Sequence, residues 1–274
     1  MINLSVLILT YNEEINISDC ISSVSFCDDV VVLDSLSDDR TTDIAGNLNA
    51  RIFYKKFQNY ADQRNYGLNL DFKHDWILML DADELVDESL RVEILSVISN
   101  SSNECTLFRV RRKDFFFGKW IKRSSGYPTW FGRLFLKGHV SVKRDINEEY
   151  YTDGKVGCLQ NHLIHYPFKK GLDHWFYRHN IYSTSEALVL AKNTNRRISY
   201  SEFFSFDPML RRKVAKQIVY KMKFRPFFIL IYLYIFRLGF LDGLPGFYFS
   251  LMRFYYEFMI SMKILEFKKK EDLI

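Results

Sequence analysis

A doubly wound α/β sheet with a helical C-terminal extension is the fold this sequence predicts, and three observations predict it. Apolar runs of strand length alternate with short helical patterns between Leu4 and Leu80. Each run stops at a cluster of polar residues, and from Lys169 onward the chain turns helical, basic and aromatic. Such alternation argues a largely parallel sheet whose ligands gather beyond the carboxyl ends of the strands.

Taken in order, Leu4 to Leu9 and Asp29 to Leu33 read as buried parallel strands, ending at Thr10-Tyr-Asn-Glu13 and at Asp34. Between them, Glu14 to Ser23 spaces Ile15, Ile17 and Ile21 for a crossover helix. A second helix is expected to start near Ser37 to Asp39, whose side chains cap free N–H groups, and to end around Gly46. Arg51 to Tyr54 follows as a strand, Asp62 to Leu70 as a helix, and Trp76 to Leu80 as a strand running into Asp81-Ala-Asp-Glu84. A helix near Glu88 to Ser99 leads into an aromatic, strand-rich stretch from Cys105 to about Val142, which reads as an extension that makes the sheet a mixed one, flanked by helices.

We therefore divide the chain into residues 1–168, an α/β domain whose strand ends would hold the catalytic and ligand-binding residues, and residues 169–274, a helical region for membrane association or dimerisation. In the latter, seven Lys or Arg residues lie between Arg211 and Arg225, ahead of the ten-residue apolar run Phe227 to Phe236. That run is short of the roughly 20 residues a spanning helix needs, so it reads as in-plane or re-entrant. A helix buried on protein or across a homodimer interface is the alternative. The basic stretch and the tail Lys268-Lys-Lys270 suit an anionic membrane surface. No nucleic-acid-binding motif accompanies them, so nucleic acid is not expected as a partner.

Composition narrows the class further. Of 274 residues, 48% are hydrophobic and 17% aromatic, with a net charge of +5 that favours anionic partners such as nucleoside diphosphates. Four cysteines without a C-x-x-C spacing suggest neither a disulfide framework nor a zinc site. The opening MINLSVLILT has no positive n-region, so no cleavable signal is expected and the protein is placed in the cytoplasm, peripheral on the inner face of the cytoplasmic membrane.

The chemistry points to Asp81-Ala-Asp83. Breaking a sugar from a nucleoside diphosphate builds negative charge on two phosphates, and a divalent ion held by carboxylates offsets it. Two Asp residues two apart at a strand end can serve ribose and metal separately, although acids after a strand also cap the next helix. Similarly, Asp34 could start a turn, Arg64 could pair with Asp62 or another carboxylate, and Tyr11 could be core.

Four motifs in order strengthen the reading: Val6-Leu-Ile-Leu-Thr-Tyr-Asn-Glu-Glu14, Asp34-Ser-Leu-Ser-Asp-Asp-Arg-Thr41, Tyr60-Ala-Asp-Gln-Arg-Asn-Tyr-Gly67 and Leu80-Asp-Ala-Asp-Glu84. Together they resemble the family-two glycosyltransferases of the GT-A fold. The resemblance implies that Thr10, Tyr11 and Glu13 line the base pocket beside Asp34, that Arg64 approaches the phosphates, and that Asp81 contacts ribose while Asp83 holds Mg2+ or Mn2+. Further marks are Phe116-Phe-Gly-Lys-Trp120, Gly126-Tyr-Pro128, Gly132-Arg-Leu-Phe135, His165-Tyr166 and Gly239-Phe-Leu-Asp-Gly243. These resemble the lipopolysaccharide-core subgroup, which adds glucose or a related sugar to inner-core heptose. Thr129-Trp130 departs from it, since relatives often carry an acid after the Tyr-Pro pair, and this suggests a different acceptor.

The resemblance implies inverting transfer of a hexose from a nucleotide-sugar donor, UDP-linked, to a lipid-linked saccharide acceptor. An inverting transferase needs a base for the acceptor hydroxyl. Its expected location is Asp145-Ile-Asn-Glu-Glu149, where Asn147 replaces the usual His and Glu148 is favoured over Glu149 and Asp145. A solvated acidic loop is the alternative there. By looser analogy, Trp175 and Arg178 would cover the diphosphate or grip a phosphorylated acceptor. The His162-x-x-His165 pair, and His174 with His179, invite a metal reading, but no matching carboxylate or Cys spacing accompanies them. A nucleotidyltransferase would carry a Gly-rich phosphate loop where this chain has Thr10-Tyr-Asn-Glu13, and a non-catalytic nucleotide-sugar-binding or membrane scaffold protein is the remaining alternative.

Overall fold

The computed structural model describes residues 2–100, 104–143, 149–192 and 224–271, with positions 211, 214, 218, 219 and 222. The chain forms two compact units: Met1–Phe115 with Pro128–Lys169, and Phe116–Tyr127 with Lys170–Ile274.

In the first unit, β1 (Leu4–Thr10), β2 (Val30–Asp34), β3 (Arg51–Tyr54) and β4 (Trp76–Asp81) lie parallel, joined through α1 (Ile17–Ser23), α2 (Thr41–Asn47) and α3 (Tyr60–Leu68). After β5 (Glu84–Val86) and α4 (Glu88–Ser99), the sheet continues with β6 (Cys105–Phe116), β8 (Trp130–Leu136) and β11 (Lys155–His165); β7 (Lys119–Trp120) belongs to the second unit. The strand order is β3-β2-β1-β4-β8-β6-β11-β5, with β8 antiparallel to both β4 and β6. This is a mixed sheet. A separate hairpin pairs β9 (Val140–Lys143) with β10 (Glu149–Thr152).

The apolar runs are continuous because both faces of the sheet are covered. Val6 and Ile8 of β1 and Leu78 and Leu80 of β4 pack into one core with α1 residues Ile17 and Ile21. Their neighbours Leu7, Ile77 and Met79 pack into a second core with Leu68 of α3. Successive side chains of a strand point to opposite faces, so only an unbroken apolar run fills both. Each such buried side chain contributes roughly 1.5–3 kcal/mol. Gly67 lets α3 approach β1 closely, since a Cβ there would stand 2.8 Å from Leu7 Cδ2. That approach brings Arg64, one turn earlier, to the end of β4.

Two helix starts differ from expectation for a local reason. α3 begins at Tyr60 rather than Asp62 because Asn59 accepts from Asp62 N at 2.8 Å. α2 begins at Thr41, where Asp39 accepts from Thr41 N, whereas Ser37 and Asp38 are drawn into the loop after β1: Ser37 Oγ accepts from Asn12 N and Asp38 accepts from Asn12 Nδ2.

In the second unit, α5 (Gly171–Lys192) packs with α7 (Gly243–Glu271), and α6 (Arg225–Ile231) precedes it. The run Phe227 to Phe236 is α6 continued by a π-helical turn, Tyr232–Phe236. It stops at Leu238, whose left-handed φ of 58° leads into a short 3-10 turn, Gly239–Asp242. Among the described residues no single helix is long and apolar enough to cross a membrane, but the segments 225–236 and 239–269 pass that test together, bent by 69°. Arg225, counted with the basic stretch, is buried against Glu257 with Nε–Oε2 at 2.8 Å. Its charge is spent within the unit. Most of the stretch before it lies outside the described residues.

Candidate active site

Strand register sets the site. β1 pairs with β2 so that Thr10 lies opposite Asp34, and with β4 so that Leu9 lies opposite Asp81. Three polar side chains thus meet at the carboxyl ends of three neighbouring strands. Thr10 Oγ1 is buried there with no hydrogen-bond partner among the described residues. Tyr11 is 55% exposed and so is not core. Asn12 takes a positive φ of 53°, and the carbonyl of buried Glu13 accepts from Asn16 N and Ile17 N to start α1. Asp34 serves the turn that the sequence held as an alternative: its carboxylate accepts from Ser37 N at 2.7 Å and from Ser37 Oγ at 2.5 Å.

Around the Asp81-Ala82-Asp83 turn lies a chain of alternating charges. Arg64 reaches Asp81 Oδ1 at 3.2 Å, while Asp62 pairs with Lys55 instead. Arg133, from β8, reaches Asp81 Oδ2 at 2.5 Å and Glu84 Oε1 at 2.9 Å. Glu84 in turn accepts from Asp81 N at 3.1 Å, which closes the turn on itself. Arg112 links Glu84 to Asp114, and His165 links Asp114, through Nδ1 at 2.7 Å, to Asp83, through Nε2 at 3.2 Å. The Phe131 ring lies under both guanidiniums, 4.4 Å from Arg112 and 5.6 Å from Arg133. Asp81, Asp83, Glu84 and Asp114 are matched by three arginines and a protonated His165. A neutral total is what lets so many charges be buried together.

The titration shifts follow this arrangement. Burial raises the Asp81 carboxyl, but Arg133, Arg64 and Arg112 outweigh burial and hold it well below the usual carboxylate range. Burial and Arg112 push His165 down, yet the charge of Asp83 and the hydrogen bonds His165 donates to Asp114 and Asp83 carry it up to about 9. A group raised on folding from 6.5 to about 9 stabilises fully below pH 6.5, and that contribution is lost as pH climbs through 9. We expect urea unfolding of the ligand-free protein to show a stability loss on the order of 2 kcal/mol across that window, and His165→Gln to flatten it.

The His162-x-x-His165 spacing cannot make a metal pair, because β11 is a strand and residues three apart in a strand point to opposite faces. His179 stacks on Trp175 with centroids 3.6 Å apart, and Arg178 donates to the Tyr182 hydroxyl. Trp175 and Arg178 belong to the second unit. Glu148 and Asp145, with Asn147, lie outside the described residues. Glu149 opens β10 and accepts from the Tyr151 hydroxyl at 2.8 Å.

Residues 5–160 match the family model described as glycosyl transferase family 2. The chain belongs to that family. Among the relatives of this family 2 glycosyltransferase is the lipopolysaccharide core biosynthesis glycosyltransferase LpsC of Rhizobium meliloti, 28% identical over 74% of this chain and 77% of that one. An uncharacterised glycosyltransferase of Rickettsia typhi is 27% identical over 70% and 69%. In fold it is similar to a mannosyltransferase of Pyrobaculum calidifontis solved with GDP-Man and Mn2+, with a TM-score of 0.55 at 14% identity, covering 96% of this chain and 87% of that one. The GT-A fold is therefore shown, and the nucleotidyltransferase reading falls.

Whether this transferase suits a divalent ion turns on Asp83. Among the described residues no group of three or more His, Cys, Asp or Glu side chains is arranged to hold a metal. Magnesium-like ions are usually held by one or two carboxylates and completed by substrate phosphates. Asp83 fits that pattern: His165 engages only Oδ2, and Oδ1 has no hydrogen bond among the described residues. Sequence reasoning assigned no role to Arg133, Glu84, Arg112 or Asp114. A lone Arg inside the apolar strand Phe131-Gly-Arg-Leu-Phe135 was the available signal, since an arginine is almost never buried unless paired.

Proposed function

We propose that this glycosyltransferase moves a hexose, with inversion, from a UDP-linked donor to a lipopolysaccharide-core type of saccharide acceptor. One observation carries the proposal: at the end of β4 Asp81 is clamped by Arg64 and Arg133, whereas Asp83 keeps one carboxylate oxygen unengaged. The pair is thus differentiated. Asp81 is oriented to accept from a ribose hydroxyl, and Asp83 is the carboxylate for Mg2+ or Mn2+, whose positive charge would offset the negative charge growing on the leaving diphosphate.

The base and ribose would lie along Thr10, Tyr11, Glu13 and Asp34, where the buried, unpartnered Thr10 Oγ1 offers a hydrogen bond to a ligand. Arg64, held at the end of β4 by Asp81, would face the diphosphate. Glu148 would take the proton from the attacking acceptor hydroxyl. Arg178 would grip a phosphate of donor or acceptor. The LpsC relative supports the acceptor class.

The test is thermal stabilisation by UDP, GDP and their sugars, each with and without Mn2+. A ligand at a hundredfold excess over its Kd stabilises the native state by about 2.7 kcal/mol. We expect a metal-dependent shift with UDP or a UDP-sugar. A larger shift with a guanosine ligand would overturn the donor, and a shift indifferent to Mn2+ would overturn the role of Asp83.

A further inference from the structure

Several segments of the second unit have no part in the donor site: Phe116 to Tyr127 and the bend between α6 and α7. They form one knob. Asp242 accepts from Arg123 N and Ser124 N, each at 2.8 Å, and Arg237 donates to the Tyr127 carbonyl. Gly239 has no space for a side chain, since a Cβ there would stand 2.5 Å from the Leu233 carbonyl oxygen. The loop and the bend are thereby locked together.

What the knob presents includes apolar side chains. Phe236 is 72% exposed, Phe117 65%, Leu244 64% and Leu241 55%. The same segments carry exposed Lys119 and Lys122 with half-buried Arg123 and Arg237, and Lys119 Nζ lies 3.4 Å from where a Gly243 Cβ would be. The single acid within 116–127 and 232–248, Asp242, is buried and holds backbone N–H groups. Exposed apolar side chains carried on the same segments as unopposed cations call for a partner that is apolar within and anionic at its surface. A second copy meeting the knob face to face would set these cations against their own kind, a repulsive arrangement. The arm 225–236 rises about 18 Å as a helix, too short for a bilayer core of about 30 Å, and the 69° bend ends it there. Such a shape suits one leaflet.

We propose that this knob seats the protein on an anionic lipid leaflet, with Phe117, Phe236, Leu241 and Leu244 in the acyl boundary and Lys119 and Lys122 at the phosphates. It gives the peripheral membrane placement expected from the sequence a definite surface, distinct from the basic stretch 211–225 and the tail 268–270. The donor site has no bearing on it.

Flotation of the full chain tests this, using vesicles of phosphatidylcholine alone or mixed with phosphatidylglycerol. Binding is expected to the mixed vesicles, weakened by salt. Phe236→Glu with Leu244→Glu abolishes it, and Lys119→Gln with Lys122→Gln lowers partition about fivefold for each charge. Because these side chains are largely exposed, the variants should keep the wild-type melting temperature and the nucleotide-induced shift, which separates failure here from failure of the donor assignment. Unchanged flotation of the Glu variant would overturn the proposal. So would absence of binding to either vesicle, or a dimer in light scattering that the Glu substitutions disperse.

Discussion

Replacing Asp83 by Asn should lower metal-dependent turnover by about 10²–10³-fold, the scale of losing one charge-stabilising group in a transition state. Asn keeps the size of the side chain and removes the charge a divalent ion needs. It also weakens the contact with His165, so the fold must be watched separately: Asp83 stands at the edge of the charge chain, with His165 as its ionic partner at 3.2 Å among the described residues. We expect the melting temperature to fall little and the Mn2+ dependence of nucleotide stabilisation to vanish. Full metal-dependent turnover in this variant would remove the central assignment and leave a non-catalytic role in its place.

Arg133→Met should act in the opposite way, through stability first. Arg133 is 2% exposed and bridges Asp81 to Glu84, which is wholly buried. Removing one partner of a buried ion pair costs about 3–5 kcal/mol, because Asp81 and Glu84 are then left with only the longer contacts from Arg64 and Arg112 to offset their charge. Equilibrium urea unfolding measures the loss. Glu84→Gln on top of Arg133→Met should restore part of it, since the group left buried is then neutral; additive losses would show that packing around Phe131 governs the site instead.

These two substitutions separate what local pattern reveals from what it hides. β1, β2 and β4 were legible because strands covered on both faces must be almost wholly apolar, as Leu4 to Leu9 and Trp76 to Leu80 are. The helix starts at Tyr60 and Thr41 were less so, because caps depend on which side chain a neighbouring loop has already claimed, as Asn12 claims Ser37 and Asp38. Asp81 and Asp83 stood out by spacing and by their place after a strand. Arg112, Asp114 and Arg133 did not, since each belongs to an ordinary-looking strand far along the chain, and Arg133 reaches Asp81 across 52 positions.

By itself, then, the sequence determined the alternation of strands and helices along the first half, the strand-end location of the polar motifs and the membership of a transferase family, all of which follow from local periodicity and short motifs. Only the tertiary structure decided which charge answers which. Arg64 turns to Asp81 rather than Asp62, Arg225 is withdrawn into a buried pair, and Phe116 to Tyr127 joins the bend after α6. The physical reason is that burial and pairing are set by strand register and helix packing between distant segments, and a charge carries no mark in the sequence of the partner that will neutralise it.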